Sequence, residues 1–256
     1  MGAQALVLTG FGINCEQDTA QAILKAGGKA DIYHVNDVLS KPKLLEDYNM
    51  LVFPGGFSFG DDLGSGKVLA NKISLKLKDN LLDFIKRDTL TLGICNGFQA
   101  LVKMGLLPYP DFEQRVTLTF NAQGHFEDRW VILKVNKDSP SIVTRGLDYV
   151  MLPVRHGEGR FLARDETVMK DILSKNLYAA QYVNERGELA GYPANPNGSA
   201  HNIAALCDPT GRVFGMMPHP EAFIEITQHP YWTNGVVKEA QGLKFWKNAV
   251  EYLEDK

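Results

Sequence analysis

The sequence T-L-T-L-G-I-C-N-G-F-Q at residues 89–99 joins an apolar run to a G-x-C-x-G turn and then to the start of a helix. A strand that leads into a glycine-flanked nucleophile and a helix is the pattern of a nucleophile elbow, here with sulfur in place of oxygen. The two glycines permit a strained turn, and the amides at the start of the helix stabilise a thiolate. The pattern therefore predicts that Cys95 is a catalytic nucleophile at the end of a buried strand.

Two other classes of protein fit the elbow when it is considered alone. A cysteine peptidase or esterase on a similar sheet would use the same turn. In a non-enzymatic binding module, Cys95 would pack as a small apolar side chain and would react slowly with alkylating agents. Cys15 and Cys207 stand outside any such pattern, and we expect both to be structural.

Short apolar runs alternate with amphipathic segments around the elbow, which is typical of a parallel sheet with crossover helices. Before Leu106, the pattern predicts strands at residues 5–8, 31–35, 50–53 and 89–94, and helices at residues 17–26, at residues 68–85 and after Gly97. Beyond Leu106, it predicts strands at residues 116–120, 130–135, 177–183, 203–207 and 212–217, and a closing helix at residues 236–253. We therefore expect a single α/β domain over residues 1–256, with a mostly parallel sheet, flanking helices and antiparallel strands in the C-terminal half.

Composition excludes several classes of function. The net charge of −3 is not accompanied by any cluster of Lys and Arg, which argues against a nucleic-acid partner. No run of 18 apolar residues and no secretory start at residues 1–10 is present, so we expect a cytoplasmic protein without a membrane span. Three widely separated cysteines without a C-x-x-C spacing predict neither a disulfide framework nor a metal site.

A cysteine nucleophile needs a base, usually a histidine that a carboxylate orients. Three H-x-E pairs offer one, and they begin at His125, His156 and His219. Spacing alone does not choose between them, because residues two apart lie on the same side of any extended segment. Context favours His219 and Glu221, since they directly follow a strand-like run, and function gathers at strand ends in α/β sheets.

A glycine-rich loop, P-G-G-F-S-F-G at residues 54–60, follows another predicted strand and has amides that could form an oxyanion hole.

Two apparent nucleotide motifs are incomplete. The G-S-G-K at residues 64–67 lacks the first glycine and the final Ser or Thr of a phosphate loop, and the G-F-G at residues 10–12 lacks the third glycine of a dinucleotide fingerprint. We expect no ATP or dinucleotide site on this chain.

Taken together and in order, these motifs resemble class I glutamine amidotransferases, which have a flavodoxin-like domain and a Cys-His-Glu triad. The resemblance is closest to the branch that contains the glutaminase subunits of phosphoribosylformylglycinamidine synthase. The segments that carry it are G-I-N-C at residues 12–15, P-G-G-F-S-F-G-D at 54–61, G-I-C-N-G at 93–97, H-G-E-G-R at 156–160, N-P-N-G-S at 195–199 and P-H-P-E at 218–221.

The resemblance implies a role for each group of site residues. Cys95, His219 and Glu221 would form the triad, and the amides of Gly56 and Asn96 would form the oxyanion hole. The residues that would contact the bound glutamine are Gln99, Arg155, His156 and Gly157. The family also implies that ammonia passes to a larger ATP-dependent synthase subunit, possibly with a small accessory subunit, and that ATP and magnesium bind to that partner.

Overall fold

A nine-stranded mixed sheet forms the centre of the protein, described here from a computed structural model that places residues 2–235 and 237–255. The strands are β1 (Gln4–Thr9), β2 (Lys29–His34), β3 (Met50–Phe53), β4 (Leu90–Ile94), β5 (Val116–Thr119), β6 (Glu127–Val135), β7 (Tyr149–His156), β8 (Arg160–Ala163), β9 (Tyr178–Val183), β10 (Ile203–Cys207) and β11 (Val213–Met216). The strand order is β2-β1-β3-β4-β11-β10-β9-β6-β7. The first five strands in that order are parallel and the rest are antiparallel, as the sequence predicted.

Six α-helices accompany the strands in the part of the chain that the structure describes. They are α1 (Glu16–Lys25), α2 (Val35–Ser40), α3 (Lys67–Lys86), α4 (Asn96–Met104), α5 (Glu166–Ser174) and α6 (Gly242–Glu254). Helix α1 packs against α6, and α3 packs against α4. Because β1 to β2 and β3 to β4 cross over in opposite directions along the sheet, right-handed connections put these two helix pairs on opposite faces. None of the helices in the described part of the chain is long and apolar enough to cross a membrane.

The antiparallel half of the sheet curls back toward the elbow. Strands β4 and β7 stand five positions apart in the strand order, yet the Cys95 Sγ lies 3.7 Å from the Arg155 carbonyl oxygen at the end of β7. The backbone amide of His219, just after β11, donates to the carbonyl oxygen of Pro153, which also lies on β7. Strand β7 therefore forms one wall of the region at the carboxyl ends of β4 and β11.

Among the α-helices and strands of the described residues, four were absent from the sequence-based prediction: α2, β7, β8 and α5. Strand β5 was predicted, but it pairs with β8 in a separate two-stranded sheet and does not join the main sheet. The closing helix begins at Gly242, later than predicted, and residue 236 of that prediction lies outside the described residues.

Candidate active site

The elbow holds Cys95 in a backbone conformation that few residues other than glycine adopt. Its φ is 51° and its ψ is −106°, and the residue is 4% exposed. A Cβ at position 97 would stand 1.8 Å from the carbonyl oxygen of Phe53, so α4 can approach β3 this closely only because position 97 is glycine. The surrounding strands hold the strained turn in place, since the Cys95 amide donates to Met216 at 2.7 Å. Contacts with β3 and β11 thus hold the strained turn at residue 95 in place.

His219 and Glu221 lie at the end of the neighbouring parallel strand. Strand β11 pairs with β4 so that Met216 stands beside Ile94, which brings the residues after both strands to the same edge of the sheet. The Nδ1 of His219 and the Oε1 of Glu221 are 2.6 Å apart, and both side chains are almost fully buried. This hydrogen bond fixes the ring and leaves Nε2, which has no partner among the described residues, available for another group.

The charges beside His219 make it a strong base. Burial by itself lowers the pKa of His219, but the carboxylate of Glu221 and, after it, the neighbouring sulfur of Cys95 outweigh burial and hold that pKa well above its usual value. The structure therefore brings Cys95, His219 and Glu221 together with the electrostatics that a thiol, a base and an orienting carboxylate require.

Cys15 lies beside the same histidine, a contact that the sequence did not reveal. Its sulfur, a ring nitrogen of His219 and a carboxylate oxygen of Glu221 lie within 4.8 Å of one another. Such donors also suit a metal ion, but the 2.6 Å separation between His219 and Glu221 is that of a direct hydrogen bond. A Cβ at Gly55 would come within 2.7 Å of the His219 ring and 3.1 Å of the Cys15 sulfur. Only glycine therefore leaves room for these two side chains at position 55.

The amides of Gly56 and Asn96 lie on the two segments that flank the elbow. Asn96 is the first residue of α4, so its amide has no carbonyl one turn earlier to bond, and Gly56 has a φ of 144°. Neither amide donates a hydrogen bond within the described part of the chain. A Cβ at position 56 would stand 2.7 Å from the carbonyl oxygen of Gly12, so this turn requires glycine.

The residues predicted to contact glutamine lie around the elbow on two segments. Arg155 and Gly157 lie at the end of β7 and just beyond it, and the Arg155 carbonyl faces the Cys95 thiol. Gln99 is buried on α4, where its amide bonds Asn96 at 3.0 Å and the carbonyl of Glu158. The contact of these side chains with glutamine stays a prediction.

His156 is buried, and its ring bonds other side chains of the protein. Its Nδ1 is 3.1 Å from the Asn121 Oδ1, and its Nε2 is 3.5 Å from the Asn197 Nδ2. Burial, aided by the charge of His219, lowers the pKa of His156 to about 3. The ring is therefore neutral at physiological pH, with Nδ1 as donor and Nε2 as acceptor. Its hydrogen bonds with Asn121 and Asn197 help to hold the turn at Gly157.

This buried histidine should make the fold sensitive to acid. Between about pH 6.5 and 3, the unfolded chain protonates this position and the folded chain does not, so the free energy of unfolding falls as pH falls. The contribution is about 1.4 kcal/mol for each pH unit. We expect His156→Asn to lose this component, measured as a shallower fall of the unfolding free energy in urea between pH 7 and 5. If the unfolding free energy of the variant and of the parent fell equally steeply between pH 7 and 5, this assignment to His156 would be contradicted.

His125, which begins the third H-x-E pair, lies at the surface. Its side chain is 56% exposed, and its Nε2 stands 2.9 Å from Glu127, which also bonds Arg129. Of the three H-x-E pairs, only the one at His219 is placed next to Cys95 with its carboxylate bonded to the ring.

Residues 3–253 match the model of the CobB/CobQ-like glutamine amidotransferase domain family. The chain belongs to this family. The match covers nearly all of the described residues, and it agrees with a nucleophile elbow and a histidine–glutamate pair on adjacent parallel strands.

Similar proteins place this glutamine amidotransferase in one branch of the family. It is 44% identical over 251 residues to the phosphoribosylformylglycinamidine synthase subunit PurQ of Dehalococcoides mccartyi, covering 97% of both chains. It is 42% identical to the PurQ subunit of Methanococcus maripaludis, covering 98% of this chain and 97% of that one. Among solved structures, it matches a chain of PurLQS from Thermotoga maritima with a TM-score of 0.74 and 30% identity, covering 99% of this chain and 100% of that chain.

Proposed function

We propose that this glutamine amidotransferase hydrolyses glutamine to glutamate and ammonia through Cys95, His219 and Glu221. The ammonia would serve the ATP-dependent conversion of formylglycinamide ribonucleotide to its amidine in purine biosynthesis, in the cytoplasm. The observation that carries the proposal is the strained elbow at Cys95 beside the buried His219–Glu221 hydrogen bond. The similarity to PurQ subunits over nearly the whole chain supports the choice of acceptor reaction.

The first half of the reaction would form a thioester. His219 takes the proton of the Cys95 thiol, and the sulfur attacks the side-chain carbonyl carbon of glutamine. The oxyanion that forms accepts hydrogen bonds from the amides of Gly56 and Asn96, which are free to donate. The C–N bond then breaks as His219 returns its proton to the leaving nitrogen, and ammonia departs.

The second half would release glutamate. His219, again neutral, removes a proton from water as the water oxygen attacks the thioester carbonyl. The same two amides hold the second oxyanion; its collapse breaks the C–S bond, and His219 returns the proton to the departing sulfur, which restores the thiol. Glu221 keeps the ring oriented through both halves and stabilises the imidazolium, because its carboxylate stays bonded to Nδ1.

Exposed apolar side chains surround the mouth of this site and would form the surface for the synthase subunit. They follow the carboxyl ends of β1 and β3 or lie between β5 and β6, and they are Phe11, Phe57, Leu63, Phe120 and Phe126. The ring of Phe57 stacks on that of Phe126 with centroids 6.3 Å apart, which joins the turn after Gly56 to the segment between β5 and β6, where Phe126 lies close to Gly157. Apolar rims of this kind mark protein interfaces, and a cover here would keep ammonia from escaping into solvent.

The acceptor chemistry would belong to the partner. The two nucleotide motifs of this chain are incomplete, so ATP, magnesium and the ribonucleotide would bind the larger subunit, with or without a small accessory subunit. The name PurLQS of the similar structure from Thermotoga maritima supports an assembly of this kind.

The test compares two nitrogen sources in the assembled synthase. With glutamine, ATP and the ribonucleotide, the mixture of this chain and its synthase subunits should form the amidine. Cys95→Ala should remove that glutamine-dependent reaction while sparing amidine formation from ammonium. The isolated chain should neither bind ATP nor form the amidine from ammonium.

Two outcomes would contradict the assignment of glutamine hydrolysis to this chain and of amidine formation to the synthase subunits. One is amidine formation from ammonium by this chain alone. The other is equal loss with both nitrogen sources in a Cys95→Ala mixture whose complex remains intact by size-exclusion chromatography.

A further inference from the structure

Five residues next to the oxyanion amides are joined in a closed ring of hydrogen bonds. The Nδ2 of Asn96 donates to Asp61 at 3.1 Å and to Gln99 at 3.0 Å. The hydroxyl of Ser65 donates to the other oxygen of Asp61 at 2.9 Å, and the amide of Ser65 donates to the Glu158 carboxylate at 3.3 Å. The ring closes where the Gln99 amide donates to the Glu158 carbonyl oxygen.

The ring ties together the three segments that line the elbow. Asp61 and Ser65 belong to the loop between β3 and α3, Asn96 and Gln99 to the start of α4, and Glu158 to the turn after β7. Outside the ring, the Asn96 Oδ1 accepts from the amide of Ser58 at 3.2 Å, two residues after Gly56. One side chain, that of Asn96, is therefore bonded to both segments that carry the oxyanion amides.

Holding this ring together has an electrostatic cost. Burial is the largest influence on the pKa of Asp61 and raises it, against the lowering effect of the Ser65 hydrogen bond, and the charge of Glu158 raises it further. The ammonium of Lys103 donates to the Ser65 carbonyl at 2.6 Å, and burial lowers its pKa. These half-buried charges destabilise a fold unless hydrogen bonds and opposite charges offset their partial loss of solvent, so a purely structural loop would not need them.

The backbone of the loop is also strained around the ring. Phe59 and Asp61 both have a φ of 56°, in the left-handed region that residues other than glycine seldom adopt. Strain of this kind persists only where neighbouring contacts fix it, and it gathers at functional sites. The bonds from Asn96 and Ser65 to Asp61 are contacts that can fix this loop.

We propose that the ring through Asn96, Asp61, Ser65, Glu158 and Gln99 is a positioning network that sets the two oxyanion amides at their working separation. Asp61 is its central positioning residue, because its two oxygens join Asn96 to Ser65. This inference rests on the proposed function. Removing one oxyanion donor typically costs about 10²-fold to 10³-fold in kcat, and a misplaced donor costs a part of that.

Two reactions of Cys95 separate this role from general damage to the site. Glutamine hydrolysis passes through an oxyanion and needs both amides, whereas alkylation of the thiol by iodoacetamide displaces iodide from carbon and forms no oxyanion. We expect Asp61→Ala to lower kcat about 100-fold with little change in KM, while the rate of alkylation stays within about 2-fold of the parent. Both are measured on the full chain in complex with its synthase subunits.

Matched variants test the assignment further. Asp61→Asn keeps an acceptor for Asn96 and offers a donor to the Ser65 hydroxyl, so it should recover kcat to within about 10-fold of the parent. Asp62→Ala makes the same chemical change at the adjacent exposed aspartate and should leave kcat unchanged. Ser65→Ala removes only one bond of the ring and should lower kcat about 10-fold. If Asp61→Ala does not fold, this variant decides the test.

The results that would overturn the positioning role are distinct from those that would overturn the glutaminase. An unchanged kcat in Asp61→Ala and Ser65→Ala would overturn it, and so would equal losses of kcat and of alkylation rate. In both cases Cys95→Ala would still abolish hydrolysis. If the Cys95→Ala variant instead retained hydrolysis, the proposed function itself would fail.

Discussion

Replacing Cys95 with alanine is expected to reduce glutamine hydrolysis by a factor of about 10⁴ or more, because the reaction then lacks the sulfur that would form the thioester. Cys95→Ser should lose nearly as much, since an alcohol is far harder than a thiol to deprotonate beside His219. The measurement is glutamate release per mole of folded protein, with and without the synthase subunits.

Cys207→Ala is the matched control for this prediction. Cys207 is buried at the end of β10, and that strand runs antiparallel to β11, so its end lies at the opposite edge of the sheet from His219. Its removal should leave glutamate release unchanged. A Cys95→Ala variant that hydrolyses glutamine as fast as Cys207→Ala would show that the elbow does not carry the nucleophile.

The second large effect concerns the choice among the H-x-E pairs. His219→Ala should lower hydrolysis by about 10⁴-fold, because the thiol and the attacking water both lose their base. Glu221→Ala should cost less, since it removes only the orientation and the charge that favour the imidazolium. His125→Ala should leave activity close to that of the parent, as its ring lies at the surface beside Glu127. Equal losses at His125 and His219 would mean that position at a strand end does not identify the base.

The parts of the fold that the sequence predicted are those with strong local signals. The elbow at Cys95, the parallel strands before it and the two strands β10 and β11 can each be recognised from a few consecutive residues. His219 could be preferred over His125 because an apolar strand precedes it directly. In each case the deciding information lies within about one element of the residue concerned.

The parts that sequence reasoning missed depend on contacts between distant segments. Strand β7 was not predicted, because the glycines just after it are typical of a loop and not of the end of a strand. Its approach to Cys95 follows from the curl of the sheet, and residues 95 and 155 meet only in the folded chain. Cys15 reaches His219 in the same way, through the packing of the loop after β1 on the loop after β3.

The hydrogen-bonded ring is another feature that the sequence could not predict, because its side chains come from distant segments. Asp61, Asn96 and Glu158 each fall in a motif that the sequence singled out, yet nothing in their spacing says that they share partners. Their bonds link residues 35, 59 and 93 positions apart. Only the placement of three loops at one edge of the sheet makes them neighbours.

The most direct test of the account is to find which residue attacks a glutamine analogue that carries an electrophilic side chain. The chain is incubated with the analogue, digested, and the modified peptide is sequenced by mass spectrometry. The account predicts one label, on Cys95, whose formation excess glutamine slows and His219→Ala abolishes. A label on Cys15, whose sulfur also lies beside His219, or on Cys207 would contradict it.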